Sequence, residues 1–249
     1  MEASNIGGPG AREAGVGGGP GARDTGGMRE ADVAPAPAAL EPTGGRLAGW
    51  TPADPGPLGL AAFAGTTFVL SLVNAGLVGS GHLVGGGLLP LIAALSLAYG
   101  GAAQFLAGIW EFRTGNTFGA VAFCSYGAFW ISFYLIVHAA ASVAPTELFS
   151  GLGLYLWMWG IFTTYMFIAS LRTTGAVAAV FLLLAATFII LGIGNSALAG
   201  THSVTNGTIK FGGWVGLVTA IVAWYASFAS VLNSTFGRVV LPVVPLSRP

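Results

Sequence analysis

The sequence predicts an all-α membrane protein in which six transmembrane helices form one protomer behind a disordered N-terminal tail. Three observations carry this. Over half of the 249 residues are apolar (54%), only 7% are charged, and the mean hydropathy is +0.78. Between Pro55 and Leu241 the charged side chains are limited to Glu111, Arg113, Glu147, Arg172, Lys210 and Arg238. Apart from the neighbouring Glu111 and Arg113, the stretches between these charges each exceed the roughly 20 residues that a helix needs to cross a hydrocarbon core about 30 Å thick.

Residues 1–53 read as a disordered cytoplasmic tail. They are a low-complexity mixture of Gly, Ala, Pro, Arg and Glu with no aromatic residue before Trp50. Such a run cannot bury enough apolar surface to offset the entropy of ordering, and it lacks the apolar core of a signal peptide. A regulatory or partner-binding segment is the other reading. The Ala/Gly/Pro bias looks like that of a high-GC bacterium, which makes a bacterial inner membrane the expected location.

The first span grows out of DPGPLGLAAFAGTTFVLSLVNAG at Asp54 to Gly76, where a proline-rich turn runs into a long apolar segment, and it covers about Leu60 to Val78. The second apolar stretch, about Leu83 to Trp110, exceeds one perpendicular crossing. It implies a tilted helix or an irregular glycine-rich lead-in at Gly85, Gly86 and Gly87. The remaining spans cover about Phe118 to Ala140, Gly151 to Leu171, Ala176 to Ala197 and Gly213 to Leu232. Together they make a six-helix transmembrane domain over 54–240, followed by a short cytoplasmic tail at 241–249. An even number of crossings puts both termini on one side. Arg46, Arg113, Arg172, Arg238 and Arg248 fall on that side and Lys210 on the other, so both ends are expected in the cytoplasm. Trp110, Trp130, Trp157, Trp159 and Trp214 read as interfacial belt or packing residues.

Enzyme signatures are missing, and no cofactor is expected. One cysteine, Cys124, supports neither a disulfide framework nor a multi-thiolate zinc site. The three histidines, His82, His138 and His202, are scattered near span ends without ligand spacing. No GxxxxGK[ST] phosphate loop occurs, which excludes that kind of ATP-driven pump within this chain. GNTFG at Gly115 to Gly119 reads as a turn and helix cap, with Asn116 or Thr117 available to satisfy free backbone N–H groups; helix pairing through GxxxG is the alternative.

The informative residues are the neutral polar ones within the spans, because polar groups in hydrocarbon face a partner helix or a water-filled path. Thr67, Ser71 and Asn74 lie at i, i+4 and i+7 and share one helical face, with Phe63 a further turn toward the N-terminal end. An aromatic followed by hydrogen-bonding groups fits a pore lining. Gln104, Thr164 and Asn195 join Thr67, Ser71 and Asn74 as neutral groups suited to accompany an anion without trapping it by charge. For any single Ser, Thr or Asn the structural reading stands beside this one: tying helices together or bonding back to its own helix. Glu111, followed by Phe112 and Arg113 at a membrane boundary, reads as an ion pair, an interfacial anchor or a possible proton-coupling group.

Several separated motifs, in order, resemble the acetate uptake transporter (AceTr) family, which includes bacterial succinate/acetate permeases and fungal acetate transporters. DPGPLGLAAF resembles the family signature NPAPLGL, with Asp54 and Gly56 in place of its Asn and Ala. The likeness continues through YGGAAQFLAGIWEFRTGNTFGAVAFCSYGAFW at Tyr99 to Trp130, YLWMWGIFT at Tyr155 to Thr163, IGN at Ile193 to Asn195, and GWVGL and LNSTFGRVVLP near the end. It spans about Pro55 to Pro242.

The resemblance implies six-helix protomers, each with its own path, assembled as a hexamer, and uptake of acetate and often succinate linked to protons. It also implies a narrow hydrophobic constriction, which by motif position falls on Phe63, Tyr126 and Leu184. A small carboxylate would exchange part of its hydration for hydroxyl and amide donors while an apolar ring restricts leakage. No acidic residue lies mid-span, so any proton is expected to travel on the substrate or through Glu111. Ionised Asp54 would repel anions modestly. The other functional classes are a channel for a small solute such as ammonia, disfavoured by the position of His138 near a span end, and a membrane scaffold without transport.

Overall fold

The structure, a computed structural model, describes residues 50, 52–79, 87–201 and 203–246. The expected tail up to Gly49, Gly85 and Gly86 of the lead-in, and His82 and His202 lie outside the described residues. Among those described, six helical segments are long and apolar enough to cross a membrane, matching the six expected spans.

Local chemistry sets the ends of these helices. Helix α1 (Gly56–Asn74) starts before the expected Leu60 because the proline-rich turn is already its first turn. Pro57 sits where a missing N–H costs nothing, and the Gly56 N–H donates to Asp54 Oδ1 at 2.9 Å. The second span runs from Leu89 to Thr114 as α2 (Leu89–Leu95), a π-helical segment (Ser96–Ala103) and α3 (Gln104–Thr114). The irregularity expected at its glycine-rich start therefore lies in mid-span. Gly100 within it allows close packing on α1 and α4: a Cβ there would meet Thr66 Oγ1 at 2.7 Å and Trp130 Cγ at 2.8 Å. Wide turns of this kind gather at functional sites.

Asn116 caps α4 (Thr117–Ala139), its Oδ1 accepting from Gly119 N at 3.1 Å, as the turn reading of GNTFG expects. Helix α5 (Pro145–Ser170) begins six residues before the expected Gly151, with proline in its first turn and Glu147 beside the positive end of the helix dipole. Thr174 caps α6 (Gly175–Ser196) and Asn206 caps α7 (Gly207–Phe236). The last helix outruns its expected span because Lys210 in its first turn interrupts the hydropathy without interrupting the helix.

The most extensive contacts join α1 to α7, α5 to α6, α6 to α7 and α3 to α4. At the α1–α7 crossing Gly213 lies against the backbone of Asn74 and Ala75, where no side chain fits. Large apolar residues such as Leu154, Ile161 and Phe228 remain exposed on the outside of the bundle, as a lipid-facing surface requires. The tail expected at 241–249 is held to the bundle as far as Leu246. Asn233 accepts from the Val240 and Leu241 N–H groups, Tyr225 donates to Pro242 O at 2.6 Å, and Gly175 N donates to Val244 O at 2.7 Å. Tyr225 and Asn233, polar residues of the last span, are thus engaged by the C-terminal segment.

Candidate functional site

A cavity of about 110 Å³ lies among α1, α4, α5 and α6. Phe63, Thr67, Ser71 and Asn74 all line it, so the face that the helical spacing of α1 singles out is the face turned inward. Opposite stand Phe129, Trp130 and Phe133 of α4, and Leu184, Thr187, Phe188 and Asn195 of α6. Among the described residues no charged side chain lines it. The cavity extends from the helix ends around Asn74, Asn195 and Val204 to Phe63 and Leu184 within the membrane-spanning part.

Beyond that floor the packing is aromatic. The Tyr126 ring lies 5.9 Å from Phe63, 5.4 Å from Phe162 and 6.0 Å from Phe181, and stacks within 8° of parallel on Phe188. Phe63, Tyr126 and Leu184 are all buried in one apolar cluster. The polar tip of Tyr126 is engaged: Thr163 Oγ1 donates to Trp159 O at 2.7 Å, so the Tyr126 hydroxyl at 2.9 Å donates to Thr163. Tyr126 therefore keeps its proton in a bond to Thr163.

The remaining candidates separate. Asn195 lines the cavity while its Nδ2 donates to Leu191 O at 2.8 Å. Ser71 and Asn74 make no side-chain hydrogen bond among the described residues. Four expected site residues do not line the cavity: Tyr126, packed beyond its floor, and Thr164, Gln104 and Glu111. Thr164 is exposed on the outside of α5 with its hydroxyl bonded to Gly160 O at 2.7 Å. The buried stripe of α5 runs through Leu156, Trp159, Thr163 and Met166, and the next residue after Thr163 is rotated about 100° away from it. Gln104 is only 1% exposed and its Oε1 has no partner; it belongs to the buried side of α3 rather than to the cavity wall. Glu111, 2% exposed, accepts from Thr114 Oγ1 at 3.1 Å and packs against Gly119, while the Arg113 guanidinium stacks over Trp50 at 5.7 Å.

Sequence reasoning missed two participants. Thr163 is the residue that fixes Tyr126. Trp130, assigned to the belt or packing, is 2% exposed, lines the cavity and has an Nε1 without a partner; Trp159 is likewise buried. Thr67 Oγ1 is also buried without a partner. The signal for Trp130 was its place one turn after Tyr126 in SYGAFW, which puts both on one side of α4.

Residues 39–248 match the model of the GPR1/FUN34/yaaH family. The chain is 40% identical over 194 residues to the succinate-acetate/proton symporter SatP of Escherichia coli, an alignment covering 77% of this chain and 95% of that one. It is 39% identical over 201 residues to acetate permease A of Emericella nidulans, covering 77% of this chain but 65%, just under two thirds, of the fungal protein. Among solved structures, that of the bacterial acetate channel SatP superposes with a TM-score of 0.67 at 39% identity, covering 78% of this chain and 99% of the other.

Proposed function

The chain belongs to the GPR1/FUN34/yaaH family, and from that premise we propose that it carries acetate, and succinate with it, across a membrane through a path of its own in each protomer. The observation that carries this reading is a cavity lined by neutral hydrogen-bonding groups, with no charged side chain among the described residues, that ends on the apolar floor of Phe63 and Leu184 backed by Tyr126. Neutral donors replace water around a carboxylate without holding it as a fixed cation would, and the apolar floor admits the short alkyl part while resisting hydrated ions.

In this reading Phe63, Tyr126 and Leu184 form the constriction, and Thr67, Ser71, Asn74 and Asn195 accompany the carboxylate toward it. Gln104, buried on α3, serves from behind the wall. Thr164 falls out of the set because it faces outward. Glu111 is the one acidic side chain buried within a candidate span, and it is the candidate for proton linkage at the end of the path where α1 begins. The protomers assemble as a hexamer in a bacterial inner membrane, with both ends of the chain in the cytoplasm.

The test is reconstitution of the purified protein in liposomes, with labelled acetate on one side and pH and voltage varied independently. Saturable acetate flux is expected. Dependence on the pH gradient at zero voltage identifies proton-coupled uptake; dependence on voltage alone identifies a channel. Absence of acetate flux under every condition removes the reading and leaves a scaffold or a path for another solute.

A further inference from the structure

Tyr155 closes the seam between α4 and α5. Its ring stacks on Phe129 at 5.6 Å, and its hydroxyl donates to Phe129 O at 2.9 Å. From there toward the short turn at Ala140–Ser142 that leads from α4 to α5, the seam widens into a groove of about 320 Å³. Ile136 and Ala139 of α4, Val143 beyond the turn, and Leu148 and Leu152 of α5 form its walls. Ala139, Val143 and Gly151 on these walls are exposed, so the groove faces the outside of the bundle.

Three features of this groove point to a ligand. First, the protein does not fill it: a Cβ on Gly151 would meet no atom within 4 Å. Apolar walls without neighbours forfeit dispersion energy, and on the flank of a membrane span the group at hand to supply those contacts is an acyl chain. Second, the rim carries both signs of charge. Glu147, exposed in the first turn of α5, is the one charged lining side chain among the described residues, and it lies beside the positive end of the α5 dipole. A head group with an ammonium and a phosphate matches that pair, whereas a purely anionic head group meets the Glu147 carboxylate with like charge. Third, Leu152 and Tyr155 line both this groove and the cavity, so these two side chains partition one from the other.

We propose that the groove between α4 and α5 is a binding site for a zwitterionic phospholipid with a primary-amine head group. The ammonium pairs with Glu147, the phosphate lies by the N-terminus of α5, and one acyl chain runs along Ile136, Val143 and Leu148 past Gly151. The chain then presses on Leu152 and Tyr155 from outside and backs the cavity wall. The site stands apart from the carboxylate-transport reading, and its test uses no transport measurement.

The experiment titrates delipidated, detergent-purified full-length protein with phosphatidylethanolamine or phosphatidylglycerol and reads bound lipid and oligomeric mass together by native mass spectrometry. The wild-type chain is expected to bind phosphatidylethanolamine about fivefold tighter, the upper worth of one exposed ion pair. Glu147→Gln should bind both lipids equally, because it removes the charge and keeps the groove. Gly151→Phe, which puts a ring into the groove without touching the cavity, should lose the saturable lipid. Equal binding of the two lipids by the wild type overturns the proposal, as does an undiminished preference in Glu147→Gln. Retention of the lipid by Gly151→Phe does the same. A change of oligomeric mass in Gly151→Phe would make the groove a contact between copies of the chain and overturn the lipid assignment; should that variant fail to fold, the Glu147→Gln titration decides alone.

Discussion

The floor of the cavity and the wall above it are built from the same helices and the same kinds of residue, yet their polar groups are in opposite states. At the floor, the Tyr126 hydroxyl is bonded to Thr163, which is bonded in turn to Trp159 O. One turn above, Thr67 and Trp130 keep donors that nothing among the described residues takes. Satisfied hydroxyls tie helices together; unsatisfied ones wait for something else to pair with. In a chain whose spans carry almost no charge, that difference separates structure from site better than residue type does.

The floor is where the comparison breaks most easily. Phe63 is 4% exposed and packs on Tyr126, so Phe63→Ala should cost about 3 kcal/mol of stability or more through the cavity it leaves. The same change widens the passage, so flux of longer monocarboxylates should rise relative to acetate at equal surface expression. Thermal unfolding of the detergent-purified variant and a substrate series in liposomes check both. Unchanged selectivity would mean that the floor does not limit the path.

Thr67→Val changes the wall without widening the floor. An unpaired buried hydroxyl becomes a methyl of nearly the same size, so stability should hold or rise while the apparent KM for acetate climbs about tenfold. Tyr126→Phe is the reciprocal experiment at the floor. It removes a hydrogen bond from a hydroxyl already bonded to Thr163, which costs about 1 kcal/mol. The unfolding temperature should fall by a few degrees with the KM for acetate near wild type. A large KM change for Tyr126→Phe would place its hydroxyl on the substrate and erase the contrast between floor and wall.

Much of this was legible in sequence, and the exceptions have a common cause. The six spans follow from hydropathy, and the inward face of α1 follows from helical spacing, because Thr67, Ser71 and Asn74 interrupt an otherwise apolar surface in one direction. Trp130 gave no such contrast: a tryptophan in an apolar helix suits an interface as well as a core, and only the approach of Gly100 from another helix decides it. The π-helical turn at Ser96–Ala103 and the tethering of the C-terminal segment through Asn233 and Tyr225 depend in the same way on distant partners.

Helix α5 shows why neighbouring residues were confused. Its lipid-facing side is as apolar as its buried side, so Thr163 and Thr164 look alike in sequence although one is fully buried and the other exposed. Thr164 bonds back to Gly160 O, which satisfies its hydroxyl within its own helix and leaves nothing for a substrate. Thr164→Val should therefore leave acetate KM and maximal rate within experimental error and shift stability by less than about 0.5 kcal/mol. Thr163→Val, one residue earlier, takes away the acceptor of the Tyr126 hydroxyl and strands a buried donor against the floor, so it should lower the unfolding temperature more than Tyr126→Phe does. If Thr164→Val weakened transport as strongly as Thr163→Val weakens folding, the outer face of α5 would have to contribute to the path, and the distinction between spent and unspent hydroxyls would fail at its simplest case.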